Sequence, residues 1–209
     1  MIRSLTLAAV LGAAATSGAL AQDLSVYGGV ALQYNAYEDD PKTDLNGYVE
    51  VEKNGFYAGI WAEVSDQSDA DEVDLYLGYR NTVGALSYDA NYYRYFYPND
   101  GGDCCGELGL TLDYAVNDAL TLGSLWAYDP VKETGSVYVT FAVAASDKLS
   151  VSGEYGYYNA GYGDYKEWDV GVGYQLGEET AAEIRYYKGD EYDGYVRLQL
   201  SWDTTILTR

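Results

Sequence analysis

Apolar and polar residues alternate with a period of two through nearly all of the sequence after residue 21. This is the pattern of β-strands whose two faces meet different surroundings. It predicts an all-β fold with about twelve strands, at residues 24–35, 45–53, 56–65, 72–80, 85–97, 106–114, 119–128, 136–144, 149–158, 165–175, 180–188 and 193–202.

The predicted connections alternate in length along the chain. Short ones are KNG at 53–55, NTVG at 81–84, AVND at 115–118, ASDK at 145–148 and LGEE at 176–179, and longer polar ones lie between them, such as AYEDDPKTD and PNDGGDCC. Short periplasmic turns and longer extracellular loops are typical of antiparallel up-and-down transmembrane β-barrels, which in bacteria have an even number of strands. We therefore predict such a barrel.

One strand face is apolar, with for example Val73, Leu75 and Leu77 in the fourth strand. The other carries many charged residues, and a charge on the lipid side at mid-bilayer costs about 2–4 kcal/mol for Lys or Arg. We therefore expect the charged face to line the interior as a pore, with these residues: Glu50, Glu63, Asp74, Arg80, Asp89, Glu107, Asp113, Glu154, Asp169, Glu183, Arg185 and Arg197.

Aromatic residues of the apolar face gather at the strand ends. We expect two girdles at the membrane interfaces. The first is Phe56, Tyr79, Tyr114, Tyr174 and Trp202 near the short turns, and the second is Tyr34, Phe96, Trp126, Tyr128, Tyr157, Trp168 and Tyr186 near the longer loops. A soluble barrel or sandwich, with the apolar face inside and the charges outside, is the main alternative.

The N-terminus has Arg3, an apolar run over residues 5–15, and small residues at Ala19 and Ala21. This pattern predicts a cleaved secretory signal at 1–21, followed by a single barrel domain at 22–209. The formal net charge of −21 makes nucleic acid an improbable partner, because phosphate binding needs clustered Lys and Arg. We expect outer-membrane lipid, lipopolysaccharide and small solutes as partners.

The cysteines, Cys104 and Cys105, are adjacent and fall in the predicted polar loop NDGGDCCGE. In an oxidising compartment they could form a vicinal disulfide, pair with another chain, or stay as free thiols. The sequence does not decide among these three.

The chain contains no histidine, which removes the common catalytic triads and most zinc sites. Carboxylates at i, i+2 spacing, such as Glu50 and Glu52, are read as interior charges on one strand face. The acidic segments EDDPKTD and DQSDADE lack the spacing of a calcium loop. We therefore predict no enzymatic activity, no cofactor and no dedicated metal site.

The segments NGFYAGIWAEV (54–64), EVDLYLGY (72–79), LSYDANYYRYFYP (86–98) and ELGLTLDY (107–114) resemble the TorF-type porin family of proteobacterial outer-membrane proteins. The likeness extends from about Asn46 to Trp202. It implies an outer-membrane barrel with pore activity, and it assigns no substrate or catalytic residue.

Three functions follow as hypotheses. The first is a porin-like channel whose net-acidic lumen prefers cations or neutral solutes, because charged rings set pore selectivity. The second is a closed structural or adhesive barrel, in which Arg80, Arg185 and Arg197 would form salt bridges across the interior. The third is a soluble periplasmic barrel that holds an apolar ligand.

Overall fold

The computed structural model describes residues 24–67, 71–159, 161 and 163–209, and the predicted signal at 1–21 lies outside them. Twelve antiparallel strands form one closed barrel, in which each strand pairs with its neighbours in the chain and β1 pairs with β12. The predicted all-β, twelve-stranded barrel is thus confirmed. Within the described ranges, no helix has the length and apolar character needed to cross a membrane.

The strands are β1 (Ser25–Ala36), β2 (Lys42–Lys53), β3 (Phe56–Ser65), β4 (Glu72–Val83), β5 (Leu86–Tyr97), β6 (Gly102–Ala115), β7 (Leu120–Asp129), β8 (Thr134–Ala144), β9 (Leu149–Asn159), β10 (Asp164–Gln175), β11 (Thr180–Gly189) and β12 (Tyr195–Thr208).

Four strands extend three or more residues further than the alternation predicts. β2 begins at residue 42 rather than 45, β4 ends at 83 rather than 80, β6 begins at 102 rather than 106, and β12 ends at 208 rather than 202. Polar residues at the barrel rim break the alternation but keep the backbone ladder, as in the pairs Lys42 with Asn35 and Thr208 with Ser25. Hydropathy alone therefore makes these four strands too short.

Because the strands are longer, the connections at the two ends differ less in length than predicted. The predicted longer loops occupy only residues 37–41, 66–71, 98–101, 130–133, 160–163 and 190–194. At the other end, Asn54-Gly55 is a tight turn in which both residues have positive φ, 54° and 82°. Asn-Gly favours this conformation, and its twist matches that of the strands it joins.

The interior of the barrel is polar and its outer wall is apolar. Arg80 on β4 bonds to Glu50 on β2, and Tyr57 on β3 donates to Asp89 on β5 at 2.6 Å. Side chains that reach over an intervening strand must lie on the concave side of a curved sheet. Leucines and valines of the opposite face are solvent-exposed around the whole barrel. The inverted arrangement expected of a soluble barrel is therefore wrong for this chain.

Exposed aromatic rings lie at both ends of the outer wall, as predicted. At the short-turn end the Phe56 and Tyr79 rings are 4.7 Å apart, and at the other end the Trp168 and Tyr186 rings are 5.6 Å apart. Rings with an apolar body and a polar tip suit the boundary between hydrocarbon and water. Their positions bound an aliphatic band on the outer wall.

A β-bulge interrupts the β5–β6 ladder at the end with the longer loops. Tyr95 pairs with Cys105 and Phe96 pairs with Asp103, so Cys104 is the extra residue. Cys104 and Cys105 form a vicinal disulfide within β6, which corrects their predicted place in a loop. The bulge turns Asp103 to the outer wall, where it forms a 2.6 Å ion pair with Arg94.

Candidate functional site

The interior-facing side chains are the candidate functional site, because they combine burial with charge. All twelve charged residues predicted from the sequence share the interior phase of their strands, as judged from the buried residues in the same strand or in register with them. They are Glu50, Glu63, Asp74, Arg80, Asp89, Glu107, Asp113, Glu154, Asp169, Glu183, Arg185 and Arg197.

Arg80 is held by two carboxylates of β2. Its guanidinium bonds to Glu50, and it lies 2.5 Å from Glu52. The same group lies over the Tyr57 ring, 4.4 Å from its centroid. Two carboxylates on one guanidinium leave this group of side chains with a net negative charge.

Arg185 on β11 has the same kind of environment on another part of the wall. It pairs with Asp169 on β10 and, at 2.8 Å, with Glu183 on its own strand. Its remaining nitrogen donates to Ser152 on β9 at 2.6 Å. The salt bridges of Arg80 and Arg185 thus each join nearby strands and do not cross the barrel. Salt bridges across the interior were the expectation for a closed barrel.

A third group joins β1, β2 and β12 near the longer loops. Arg197 donates to Asn35 at 2.7 Å, and Asn35 donates to Asp44 at 2.9 Å. Lys42 lies 2.6 Å from Asp44 and 3.4 Å from Glu63. The part played by Lys42 and Asp44 was not predicted, because the predicted second strand begins only at residue 45.

Tyrosine rings fill much of the interior, a feature that the charge pattern did not reveal. Tyr76 and Tyr93 stack with centroids 5.1 Å apart, and Tyr187 and Tyr195 stack at 4.8 Å. The six most buried hydrophobic side chains of the described residues are all tyrosines: Tyr57, Tyr76, Tyr95, Tyr138, Tyr187 and Tyr195. Phenols suit this interior because their rings pack while their hydroxyls bond to carboxylates.

Interior glycines make room for these rings. A Cβ atom on Gly59 would clash with Tyr76, one on Gly78 would clash with Tyr57, and one on Gly156 would clash with Tyr138. The glycines face their tyrosines across the strand ladder. Gly59 and Gly78 therefore leave interior space, and tyrosine rings occupy that space.

One loop side chain covers the interior from the end with the longer loops. Tyr192 donates to Glu167 at 3.4 Å and its ring lies 5.9 Å from that of Tyr195. Burial, together with the Glu167 carboxylate, raises the pKa of Tyr192 above its usual value. A phenol is already protonated at neutral pH, and the raised pKa keeps this hydrogen bond in alkaline solution as well.

Asp74 lies on a part of the wall with few basic groups. The carboxylates of Glu72, Glu63 and Glu107 repel its negative charge. Neither Arg80 nor Arg185 bonds to Asp74. Among the described residues, no group of three or more His, Cys, Asp or Glu could hold a metal ion. Carboxylates here are thus concentrated without being arranged as a chelating site.

Comparison with known proteins identifies similar folds. No protein-family model matches the sequence, and no curated protein matches it. The barrel is similar to the solved KdgM porin, with a TM-score of 0.70 at 10% identity over 83% of this chain and 98% of that chain. It is also similar to the NanC porin, with a TM-score of 0.65 at 11% identity over 86% of this chain and 100% of that one. In its fold, this twelve-stranded barrel is similar to the KdgM and NanC porins.

Proposed function

We propose that this protein is an outer-membrane channel for small solutes that prefers cations and neutral molecules to anions. The observation that carries the proposal is the charge of the interior, where Arg80 and Arg185 each bond to two carboxylates. Glu50 and Glu52 hold Arg80, and Asp169 and Glu183 hold Arg185. Further carboxylates, such as Asp74 and Glu107, bond to no basic side chain among the described residues.

The outer wall supports insertion in a bilayer. Its aliphatic band lies between aromatic residues at both ends, and the closed barrel leaves no unpaired strand edge. Arg94, Lys166 and Lys188 share the outward phase, but they lie close to the longer loops, where long side chains reach the headgroup region. The signal at 1–21 and contact with lipopolysaccharide belong to the same proposal, as does membership of the TorF-type family.

The charge of the interior bears on the kind of ligand that is seen with one structural neighbour. A third solved structure similar to this barrel, with a TM-score of 0.65 and 11% identity, is the KdgM porin in complex with disordered oligogalacturonate. A ligand whose sugar units carry carboxylates would meet like charges at Asp74, Glu107 and Glu154 here. We therefore propose that this channel excludes such anions, because rings of acidic side chains select against them.

Planar-bilayer recording tests the proposal directly. The refolded barrel is placed between two KCl solutions of different concentration, and the reversal potential is measured. A channel of the proposed kind gives a potential of the sign set by K⁺ movement. A potential of the sign set by Cl⁻ movement would contradict the proposed cation preference, although it would still show that the protein is a channel.

A second candidate is a closed barrel with a structural or adhesive role. The burial of interior tyrosines favours it, since Tyr57, Tyr95 and Tyr187 are only 6%, 4% and 6% exposed. Side chains packed to this extent could fill the lumen. A folded, heat-modifiable barrel that never conducts in the recording would select this second function.

A further inference from the structure

Asp74 is a buried carboxylate with an unpartnered oxygen. It lies on β4 close to the end with the longer loops, where it pairs in register with Trp61 on β3 and Tyr95 on β5. Asp74 is 5% exposed, and its Oδ1 atom has no hydrogen-bond partner. Leaving a buried carboxylate oxygen unsatisfied is costly, so this atom calls for a partner that the chain does not supply.

The surroundings of Asp74 increase that cost. The carboxyl groups that act on it belong to Glu72, Glu63 and Glu107. Lys42, the base that pairs with Glu63, also pairs with Asp44, and its 2.6 Å contact is with Asp44. Asp74 itself forms no ion pair with a basic side chain of the described residues, whereas Glu50 and Glu52 pair with Arg80, and Asp169 and Glu183 pair with Arg185.

We propose that Asp74 is the centre of a binding station for a compact monovalent cation, an alkali ion or a primary ammonium group, on the path through the barrel. The inference rests on the proposed channel function and specifies where its cation preference arises. The negative charges of the neighbouring Glu72 and Glu107 would add to the attraction of Asp74 for the cation. A cation at this point would supply the charge that the wall lacks.

Tyrosine side chains complete the station. Tyr95 donates its hydroxyl hydrogen to Glu107 at 3.1 Å, and Tyr97 donates to Glu72 at the same distance. These bonds hold the two carboxylates in place beside Asp74. The Tyr93 ring stacks on that of Tyr95, with centroids 6.1 Å apart, and aromatic faces attract cations. The small exposed surface of Asp74 and Tyr95 suits an ion without bulky substituents.

The looseness of the carboxylate arrangement fits a channel. No set of three or more acidic, His or Cys side chains in the described part of the chain is close enough to hold a metal ion. An ion at Asp74 would therefore keep part of its water shell and leave readily. Conduction needs a site of this kind, which attracts an ion without trapping it.

The test compares three variants with the wild type in planar bilayers under a KCl gradient. Asp74→Asn removes the charge at nearly constant shape, and Asp74→Glu keeps it. Asp113→Asn is the matched control, because it removes an interior carboxylate from the short-turn end of β6. Heat-modifiable migration on gels establishes that each variant is folded. The readouts are the K⁺/Cl⁻ permeability ratio and the dependence of conductance on KCl concentration.

We expect Asp74→Asn to lower the permeability ratio by about tenfold, which corresponds to roughly 1.4 kcal/mol of lost attraction. It should also abolish saturation of the conductance, whereas Asp74→Glu should retain both properties. Asp113→Asn should lower the ratio less. If Asp74→Asn and Asp113→Asn have equal effects in a channel that prefers cations, the binding station at Asp74 is refuted and the proposed channel function is not. A folded wild type that does not conduct would overturn the proposed function and the station with it.

Discussion

Leu200 gives the sharpest test of which face of the barrel meets lipid. It lies on β12, pairs with Leu32 and Ala182, and is 50% exposed on the outer wall. The next residue, Ser201, faces the interior and pairs with two small residues, Ala31 and Ala181. An arginine at position 200 therefore points to the outside of the barrel, and one at position 201 points to its interior.

The expected cost of Leu200→Arg follows from its depth. Leu200 lies between Trp202 of one aromatic girdle and Tyr186 of the other, which pairs with Val196. An arginine on the lipid side at mid-bilayer costs about 2–4 kcal/mol, which reduces the folding equilibrium constant roughly 30- to 700-fold. Ser201→Arg enters an interior rich in carboxylates, with small neighbours, and should cost much less.

The assay is equilibrium unfolding in guanidinium chloride from phospholipid vesicles, followed by tryptophan fluorescence and by heat-modifiable migration. The free energy of unfolding should fall in the order wild type, Ser201→Arg, Leu200→Arg. If Ser201→Arg proves the more damaging change, the assignment of the two faces is refuted, and with it the membrane-inserted barrel.

Four further predictions test the interior and the rim. Arg185→Ala leaves Asp169 and Glu183 without a base and should lower unfolding stability by about 3 kcal/mol, whereas Arg94→Ala, at an exposed pair, should have a much smaller effect. Gly156→Ala displaces the Tyr138 ring and should cost about 1–3 kcal/mol in the same denaturation assay; Gly177→Ala, where a Cβ meets nothing within 4 Å, should be neutral. The double variant Cys104→Ser, Cys105→Ser should unfold at the wild-type denaturant midpoint, because a disulfide between adjacent residues closes no chain loop; a large loss would contradict this. Brominated lipid should quench single-tryptophan proteins that retain Trp126, Trp168 or Trp202, and quenching of Trp61 to the same extent would count against its interior position.

Much of this fold could be predicted because one physical constraint acts on almost every residue. Each strand has one apolar and one polar face. The outward position of residues such as Leu75, Leu77 and Leu110 therefore follows from the sequence pattern alone. The sequence therefore predicts the strand number and the interior phase of the charged residues. It fails at the rim, where Lys42, Cys105 and Leu207 lie in strands but no longer meet a purely apolar or polar environment.

The partners of the interior side chains could not be predicted in the same way. Arg80 reaches from β4 to β2, and Tyr138 reaches from β8 to Glu167 on β10. Such contacts depend on the curvature and stagger of the closed sheet. These bring together side chains from strands that are not hydrogen-bonded neighbours. The isolation of Asp74 from any arginine is a result of that geometry and has no signature in the sequence.

The seam between β1 and β12 has a consequence for how the barrel forms. Every other strand pair joins neighbours in the chain, whereas Ser25 pairs with Thr208, and the amide of Arg209 donates to the carbonyl of Leu24 at 2.9 Å. Hairpins between neighbouring strands can form early, because their strands are close in the sequence. The β1–β12 ladder can form only when both ends of the chain have come together, so most of the entropy cost of closing the barrel falls on this step. Substitutions along the seam should therefore slow assembly far more than equal changes within a hairpin.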